Sequence, residues 1–85
     1  MASLTSMMNI GREMERKLKS VDIGSAEELM AVGAKEAFAR LKAVYPKVCL
    51  VHLYVLEGAI RQTEYNALSK EKRRELKAFS DSLKG

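Results

Sequence analysis

Residues 48–60 read VCLVHLYVLEGAI, and this stretch decides the fold class. Its β-branched residues are compatible with a strand, but the run is long for a strand and has no turn-forming residues beside it. Glu57 and Arg61 stand four residues apart, in the order that favours an ion pair on a helix. Because the segment is apolar almost all the way round, we expect a central helix in the middle of a helical bundle.

The sequence before this segment repeats apolar residues at helical spacing, with glycines between the repeats. Ser25 and Glu28 form a capping-box pattern, which predicts the start of a short helix. Gly33 should end that helix, and Pro46 should end the next one, because the residue before a proline avoids helical angles. The residues expected to face the core are Met14, Leu18, Val21, Leu29, Met30, Ala34, Ala37, Phe38, Leu41 and Tyr45.

The sequence after the central segment predicts a loop around residues 63–68 and then a last helix. Ser69 is the expected N-cap of that helix, with Leu76, Phe79 and Leu83 on its inner face. No stretch alternates strictly between apolar and polar residues, as a half-buried strand would. The prediction is an all-α fold: a compact bundle of about five short helices, forming a single domain over residues 1–85.

Length and composition exclude several classes of protein. A chain of 85 residues has no room for a second domain, and a hydrophobic content of 47% argues against disorder. The net charge of +4 permits an acidic partner without requiring one. The first residues lack a signal-peptide pattern, and the longest apolar run is too short to cross a bilayer. We therefore expect a cytoplasmic protein without a membrane partner.

Cys49 and His52 are the candidates for catalysis or metal binding. They lie one helical turn apart, a spacing that could serve a nucleophile and its base or half of a metal site. However, the surrounding segment is the most apolar in the chain, and no further Cys or His exists to complete a metal site. We expect Cys49 to be buried and inert. The protein should be non-enzymatic, with no metal, cofactor or small-molecule substrate.

Residues 7–29, MMNIGREMERKLKSVDIGSAEEL, have the layout of a helix-hairpin-helix unit. In DNA-binding hairpins, backbone N–H groups hold a phosphate where a helix starts. The turn here has asparagine where such hairpins commonly have their first glycine, although asparagine tolerates left-handed angles. Two interpretations remain open, a phosphate-binding turn and a tight turn between packed helices, and the second is preferred. The candidate nucleic-acid-binding residues are Asn9, Ile10, Gly11, Arg12, Arg16 and Lys19.

A second basic feature lies near the C-terminus. Lys70, Arg73, Arg74 and Lys77 have the spacing of one side of a helix, and we call them the basic stripe. Such a stripe could follow a phosphate backbone. The alternative, which is the commoner meaning of a charge run, is a solvated face of the terminal helix.

Three segments of the chain carry a resemblance to a known family. They read LTSMMNIGREMERKLKSVDIGSAEEL (residues 4–29), VGAKEAFARLKAVYP (32–46) and VCLVHLYVLEGAI (48–60). Together they resemble the C-terminal domain of the TfoX/Sxy family, proteins tied to natural transformation competence. Family members often have proline at the position of Met8 and tryptophan at that of Tyr65. Since nothing here resembles the family's N-terminal domain, we expect a stand-alone copy. The most specific matching pieces are Asn9-Ile10-Gly11, Gly33 with Glu36-Ala37-Phe38, and Leu56-Glu57-Gly58-Ala59-Ile60.

The resemblance implies an all-helical fold, similar to helix-hairpin-helix and SAM-like domains, and a regulatory role without an established catalytic residue. The expected function is that of a regulatory binding module that acts by protein–protein interaction. Its partner would be a second copy of the chain or a transcription regulator. The alternative is weak, sequence-independent DNA binding through the Gly11 hairpin and the basic stripe.

Gly58 carries a further structural expectation. A glycine inside a helix costs about 1 kcal/mol relative to alanine. Its presence in the central helix suggests that another segment approaches closely, and the hairpin at Gly11 is the candidate.

Overall fold

A computed structural model describes residues 3–83 of the protein. Within these residues every regular element is helical, which confirms the all-α prediction. Two 3-10 turns accompany the α-helices: an N-terminal turn at Leu4–Ser6 and a second turn at Tyr65–Ala67. The five helices are α1 (Arg12–Ser20), α2 (Ala26–Val32), α3 (Ala34–Val44), α4 (Leu50–Arg61) and α5 (Lys70–Leu83).

The helix ends lie where local sequence chemistry predicts them. The Ser25 side chain accepts a hydrogen bond from the N–H of Glu28 (3.2 Å) and so caps α2. Gly33, with φ of 90°, lies between α2 and α3, and α3 ends at Val44, ahead of the proline. The Ser69 hydroxyl accepts from an N–H in the first turn of α5 (3.1 Å). Serine caps and breaker residues therefore set the length of these helices.

A single hydrophobic core joins the five helices. Helices α3 and α4 pack against each other most extensively, and α5 lies against both. Helix α1 reaches the core through α3 and the N-terminal turn, and α2 does the same. The largest fully buried side chains are Phe38, Leu4, Leu18, Ile23, Leu29, Leu41, Leu53, Leu56, Leu76 and Val48. The compact bundle is confirmed.

Three apolar side chains that the helical pattern assigned to the interior are exposed instead. Met30 is 47% exposed and borders a groove, and Leu83 is 39% exposed beside α3. Val51 is 50% exposed. It lies two turns before Gly58 on the same side of α4, and the segments that cover Gly58 do not extend to it. Thus other segments of the chain surround α4 only in its second half.

The helix-hairpin-helix-like detail is not confirmed. Helices α1 and α2 follow each other across a short turn in which Asp22 adopts φ of 66°. Each of them packs on α3 and on the N-terminal turn more extensively than on the other. The detail stays a prediction. As for membranes, none of the helices within residues 3–83 combines the length and the apolar character needed to cross a bilayer.

Candidate interaction surfaces

The turn Asn9-Ile10-Gly11 faces the interior more than the solvent. Asn9 adopts a left-handed conformation (φ 72°), and its side-chain amide donates a hydrogen bond to the Thr63 carbonyl (2.9 Å). Ile10 is 5% exposed and belongs to the core. Only Gly11, the N-cap of α1, borders open space. Asn9 thus adopts the left-handed conformation that glycine supplies in many turns. Its side chain also holds the turn against the end of α4.

Gly58 of α4 lies directly beneath this turn. A Cβ atom added at Gly58 would lie 2.6 Å from the Asn9 side-chain nitrogen and 2.7 Å from the Thr63 carbonyl oxygen. Both separations are too short for a real contact, so the position admits no side chain. The expectation that the Gly11 hairpin approaches α4 at Gly58 is confirmed. The turn is therefore a packed corner of the bundle.

Carboxylates accompany the cations of α1. Arg16 lies 2.5 Å from Glu13, and Lys19 lies 4.0 Å from Glu15. The hydrogen bond from Arg16, together with its charge, holds the pKa of Glu13 below the ordinary value of 4.5. Arg12 is exposed at the start of the helix. A phosphate placed here would have to compete with two acidic side chains already in the first turn of α1.

The basic stripe divides into two kinds of residue. Arg73 is half-buried, and its guanidinium donates a hydrogen bond to the Asn66 carbonyl. Lys77 lies 4.0 Å from the carboxylate of Asp81. Lys70 and Arg74 are exposed, and neither has an ion pair among the described residues. Two of the four cations are therefore directly available to a partner.

The two predicted basic sets meet different ends of α3. Helix α1 contacts the C-terminal end of α3, where the Ser20 and Tyr45 hydroxyl oxygens are 2.7 Å apart. The part of α5 that carries the basic stripe contacts the N-terminal end of α3, through Lys35 and Glu75 (2.8 Å). The two sets of cations therefore lie beside different ends of α3, and their proposed role stays a prediction.

A groove lies between the N-terminal turn, α2 and the end of α4, with a volume of about 500 Å³. We call it the methionine groove, because Met7, Met8 and Met30 line it; Met8 and Met30 are each 47% exposed. Sequence reasoning missed this surface, since helical spacing placed Met30 inside. The available signal was the apolar pair of residues 7 and 8 directly before the turn. The other lining residues are Ser6, Ala26, Ala59 and Gln62.

A second groove, of about 410 Å³, lies where α1 meets the loop between α3 and α4. We call it the basic groove. Val48 is 1% exposed and forms its floor, whereas Val44 is 55% exposed at its edge. The lining residues, none of them acidic, are Lys17, Val44, Tyr45, Pro46, Lys47, Val48 and His52.

The prediction that Cys49 is buried is wrong, because its thiol is exposed. The apolar run begins at the surface, and Cys49 is the extended residue that precedes α4. Its N–H donates a hydrogen bond to Nδ1 of His52 (3.1 Å), and Sγ lies 3.6 Å from the same nitrogen. The pair thus helps to start the helix. Across residues 3–83, no three side chains of the metal-binding types gather into a group that could hold an ion.

Comparison with known proteins gives structural relatives of high similarity and a family. A crystal structure of an uncharacterized protein from Listeria monocytogenes, in a triclinic form, is 40% identical and has a TM-score of 0.95, covering 99% of this chain and 96% of that chain. A tetragonal crystal form of a protein of unknown function from the same organism is also 40% identical, with a TM-score of 0.91 and coverage of 95% and 99%. No curated protein matches. A family model described as the TfoX C-terminal domain matches residues 1–80, which is nearly the whole chain. The chain therefore belongs to the TfoX C-terminal domain family.

Proposed function

We propose that this competence-regulator-like module is non-enzymatic and acts by protein–protein interaction through the methionine groove. The carrying observation is that Met8 and Met30, each about half exposed, border one groove. Apolar surface gains about 25 cal/mol per Å² when it is removed from water, so a partner that covers both side chains is favoured. Methionine is unbranched and flexible, which lets such a surface adapt to its partner.

The first partner to test is a second copy of the chain. The groove and the methionines at its edge belong to one surface, so two copies related by a two-fold axis would each place a methionine in the other's groove. A transcription regulator is the other partner within this proposal. Docking onto it would bury the same side chains.

Sedimentation velocity over a range of protein concentrations tests self-association. We expect a dimer that dissociates on dilution, and we expect it to be lost in the double variant Met8→Gln, Met30→Gln. The matched control is Val51→Gln, which changes a similarly exposed apolar side chain outside the groove and should leave the dimer intact. A wild-type protein that is monomeric at every concentration would reject self-association. A dimer lost equally in the control would place the interface elsewhere.

Weak, sequence-independent DNA binding is the second candidate. The exposed cations Arg12, Lys70 and Arg74 favour it. Fluorescence anisotropy of a labelled duplex, at low and at near-physiological salt, tests this function. Binding that weakens steeply with salt, and weakens again in the variant Lys70→Ala, Arg74→Ala, would support it. Arg73→Ala is less informative, because Arg73 also holds the Asn66 carbonyl. No binding at low salt would reject it.

We place this activity in the cytoplasm. Cys49 is the lone cysteine of the chain, and its thiol is exposed. An exposed unpaired thiol fits a reducing compartment better than an oxidising one. A module that regulates gene expression in a bacterium would also act there.

A further inference from the structure

We propose that the basic groove binds an acidic peptide segment of a partner protein that carries an apolar anchor residue. This inference names a second surface and the chemistry of its occupant. It does not depend on the methionine groove, so either proposal can fail without the other.

The apolar part of the groove is the seat, the place where the apolar anchor residue of the peptide would bind. Val48 closes the floor, and Val44 and Pro46 are exposed at the edge. The volume of about 410 Å³ lies within the range of about 300–1,000 Å³ that is typical of ligand clefts. An apolar side chain placed here would cover Val44, the most exposed of the large hydrophobic residues within residues 3–83.

The charge around the seat is of one sign. Lys17 and Lys47 lie on its rim beside His52. No Asp or Glu occurs between Glu36 and Glu57, the whole stretch that supplies α3's second half, the loop and the start of α4. On α1, Glu13 lies one turn from Lys17; it is hydrogen-bonded to Arg16, and its charge also interacts with Lys17. An acidic segment would therefore meet no acid among the lining residues, and Lys47 is the rim cation in the stretch without Asp or Glu.

Two further positive groups lie behind the rim. The Lys42 ammonium donates hydrogen bonds to the carbonyls of Pro46 (3.1 Å) and Val48 (2.7 Å), and within residues 3–83 it has no ion pair with a carboxylate. Helix α4 begins directly after Cys49, and the start of a helix carries a partial positive charge. Both raise the potential that an acidic segment would experience.

The rim is also held in place before any partner arrives. The Lys17 ammonium lies 5.5 Å from the centre of the Tyr45 ring, and the Tyr45 hydroxyl is 2.7 Å from that of Ser20. Side chains already fixed in this way lose less conformational entropy when they bind. The side of the groove formed by Lys17 and Tyr45 therefore needs little rearrangement on binding.

A peptide fits this groove better than a nucleic acid does. Bound bases commonly stack on an aromatic ring, but Lys17 already lies over the ring of Tyr45. A sugar–phosphate backbone would satisfy the cations and leave Val44 and Pro46 in water. An acidic segment with one large apolar residue satisfies both parts of the surface.

The probe for this proposal is the fluorescein-labelled peptide Asp-Glu-Gly-Phe-Asp-Glu-Gly-Glu, with anisotropy giving affinity and backbone amide NMR shifts giving location. We expect shifts at Val44, Lys47, Val48 and His52. Lys47→Glu should weaken binding by about tenfold, since it replaces attraction by repulsion. The matched control is Lys70→Glu, which makes the same charge change on an exposed lysine of α5 and should keep most of the affinity. Val44→Ser, at a side chain that is 55% exposed, should also weaken binding.

Four results would overturn the proposal. The first is equal affinity for a peptide in which every acid is replaced by its amide, and the second is an equal loss in Lys47→Glu and Lys70→Glu. The third is a set of amide shifts confined to the methionine groove, which would leave the proposed function standing and remove this one. The fourth is an oligothymidylate that binds as tightly and shifts the same amides, which would make the groove a nucleic-acid surface.

Discussion

Gly58 is the residue at which three parts of the chain meet. Asn9 reaches it from the turn before α1, Thr63 and Tyr65 reach it from the segment after α4, and no space remains for a Cβ atom. A helix would ordinarily gain about 1 kcal/mol from alanine here. Glycine at this position lacks that stabilisation, but it allows the backbone of the segment after α4 to approach the helix closely.

Gly58→Ala should therefore destabilise the protein despite the better helix propensity of alanine. We expect a loss of about 1–3 kcal/mol in the free energy of unfolding, measured by urea denaturation, because the Thr63 carbonyl cannot move away without moving its turn. Gly11→Ala is the matched control, since Gly11 borders open space at an ordinary φ of −96°. Equal stability of the wild type and Gly58→Ala would show that the close approach costs nothing to relieve.

The exposure of Cys49 can be tested chemically. Because its thiol is exposed, iodoacetamide should modify the folded protein at a rate within about tenfold of that in urea. The measurement is mass spectrometry over a time course. Modification only after unfolding would show that the thiol is covered in solution.

A charged contact joins helices α3 and α5. The Lys35 ammonium lies 2.8 Å from the Glu75 carboxylate, and Lys72 lies 3.2 Å from the same group. Lys35 also lies 5.9 Å from the centre of the Phe79 ring. Hydrogen bonds from the two lysines, Lys35 first, lower the pKa of Glu75 below its ordinary value of 4.5.

A depressed carboxyl pKa stabilises the folded state above the unfolded pKa, and that stability is lost as pH falls through the folded pKa. Glu75→Gln should therefore lower the urea midpoint at neutral pH. The gap between variant and wild type should close as pH falls below 4.5 and Glu75 takes up its proton. Glu64→Gln, at an exposed residue without an ion pair among the described residues, is the control. A gap that stays constant down to acid pH would contradict the ionic origin.

The start of α2 gives a second prediction about an element. Ser25→Ala removes the oxygen that accepts from Glu28, and it should cost about 1 kcal/mol of stability in thermal or urea unfolding. Ser82→Ala removes an exposed hydroxyl that contacts only the carbonyl one turn earlier, and it should cost little. Equal effects of the two variants would mean that the cap adds nothing to α2.

The helices could be predicted because residues at their own ends determine where they begin and stop. Ser25, Gly33, Pro46 and Ser69 act through their own backbones and near neighbours, so sequence spacing suffices to find them. Burial could not be predicted as well. Periodicity shows which face of a helix is apolar, but the exposure of Met30 depends on how far a distant segment extends over it. The candidate grooves were missed for the same reason, because each joins segments that are remote in the chain.

The whole molecule depends on one core, so its helices should not unfold separately. Leu76 of α5 is fully buried in that core. Leu76→Ala should cost about 2–5 kcal/mol, a large share of the roughly 5–15 kcal/mol typical of a domain. Circular dichroism and tyrosine fluorescence should report the same lowered urea midpoint. Separate midpoints would show that α5 is an independent unit.

The hydrogen bond from Asn9 to Thr63 has a consequence for synthesis of the chain. The two residues are 54 positions apart, and the acceptor follows the last turn of α4. While the ribosome is still making α2 and α3, Asn9 has no acceptor for this hydrogen bond, although the N-terminal turn already has α1 and α2 to pack against. The turn Asn9-Ile10-Gly11 therefore reaches its final position only after most of the protein has emerged. Closure of the bundle is therefore a late event. It depends on the completion of α4 and does not follow the order in which the helices are synthesised.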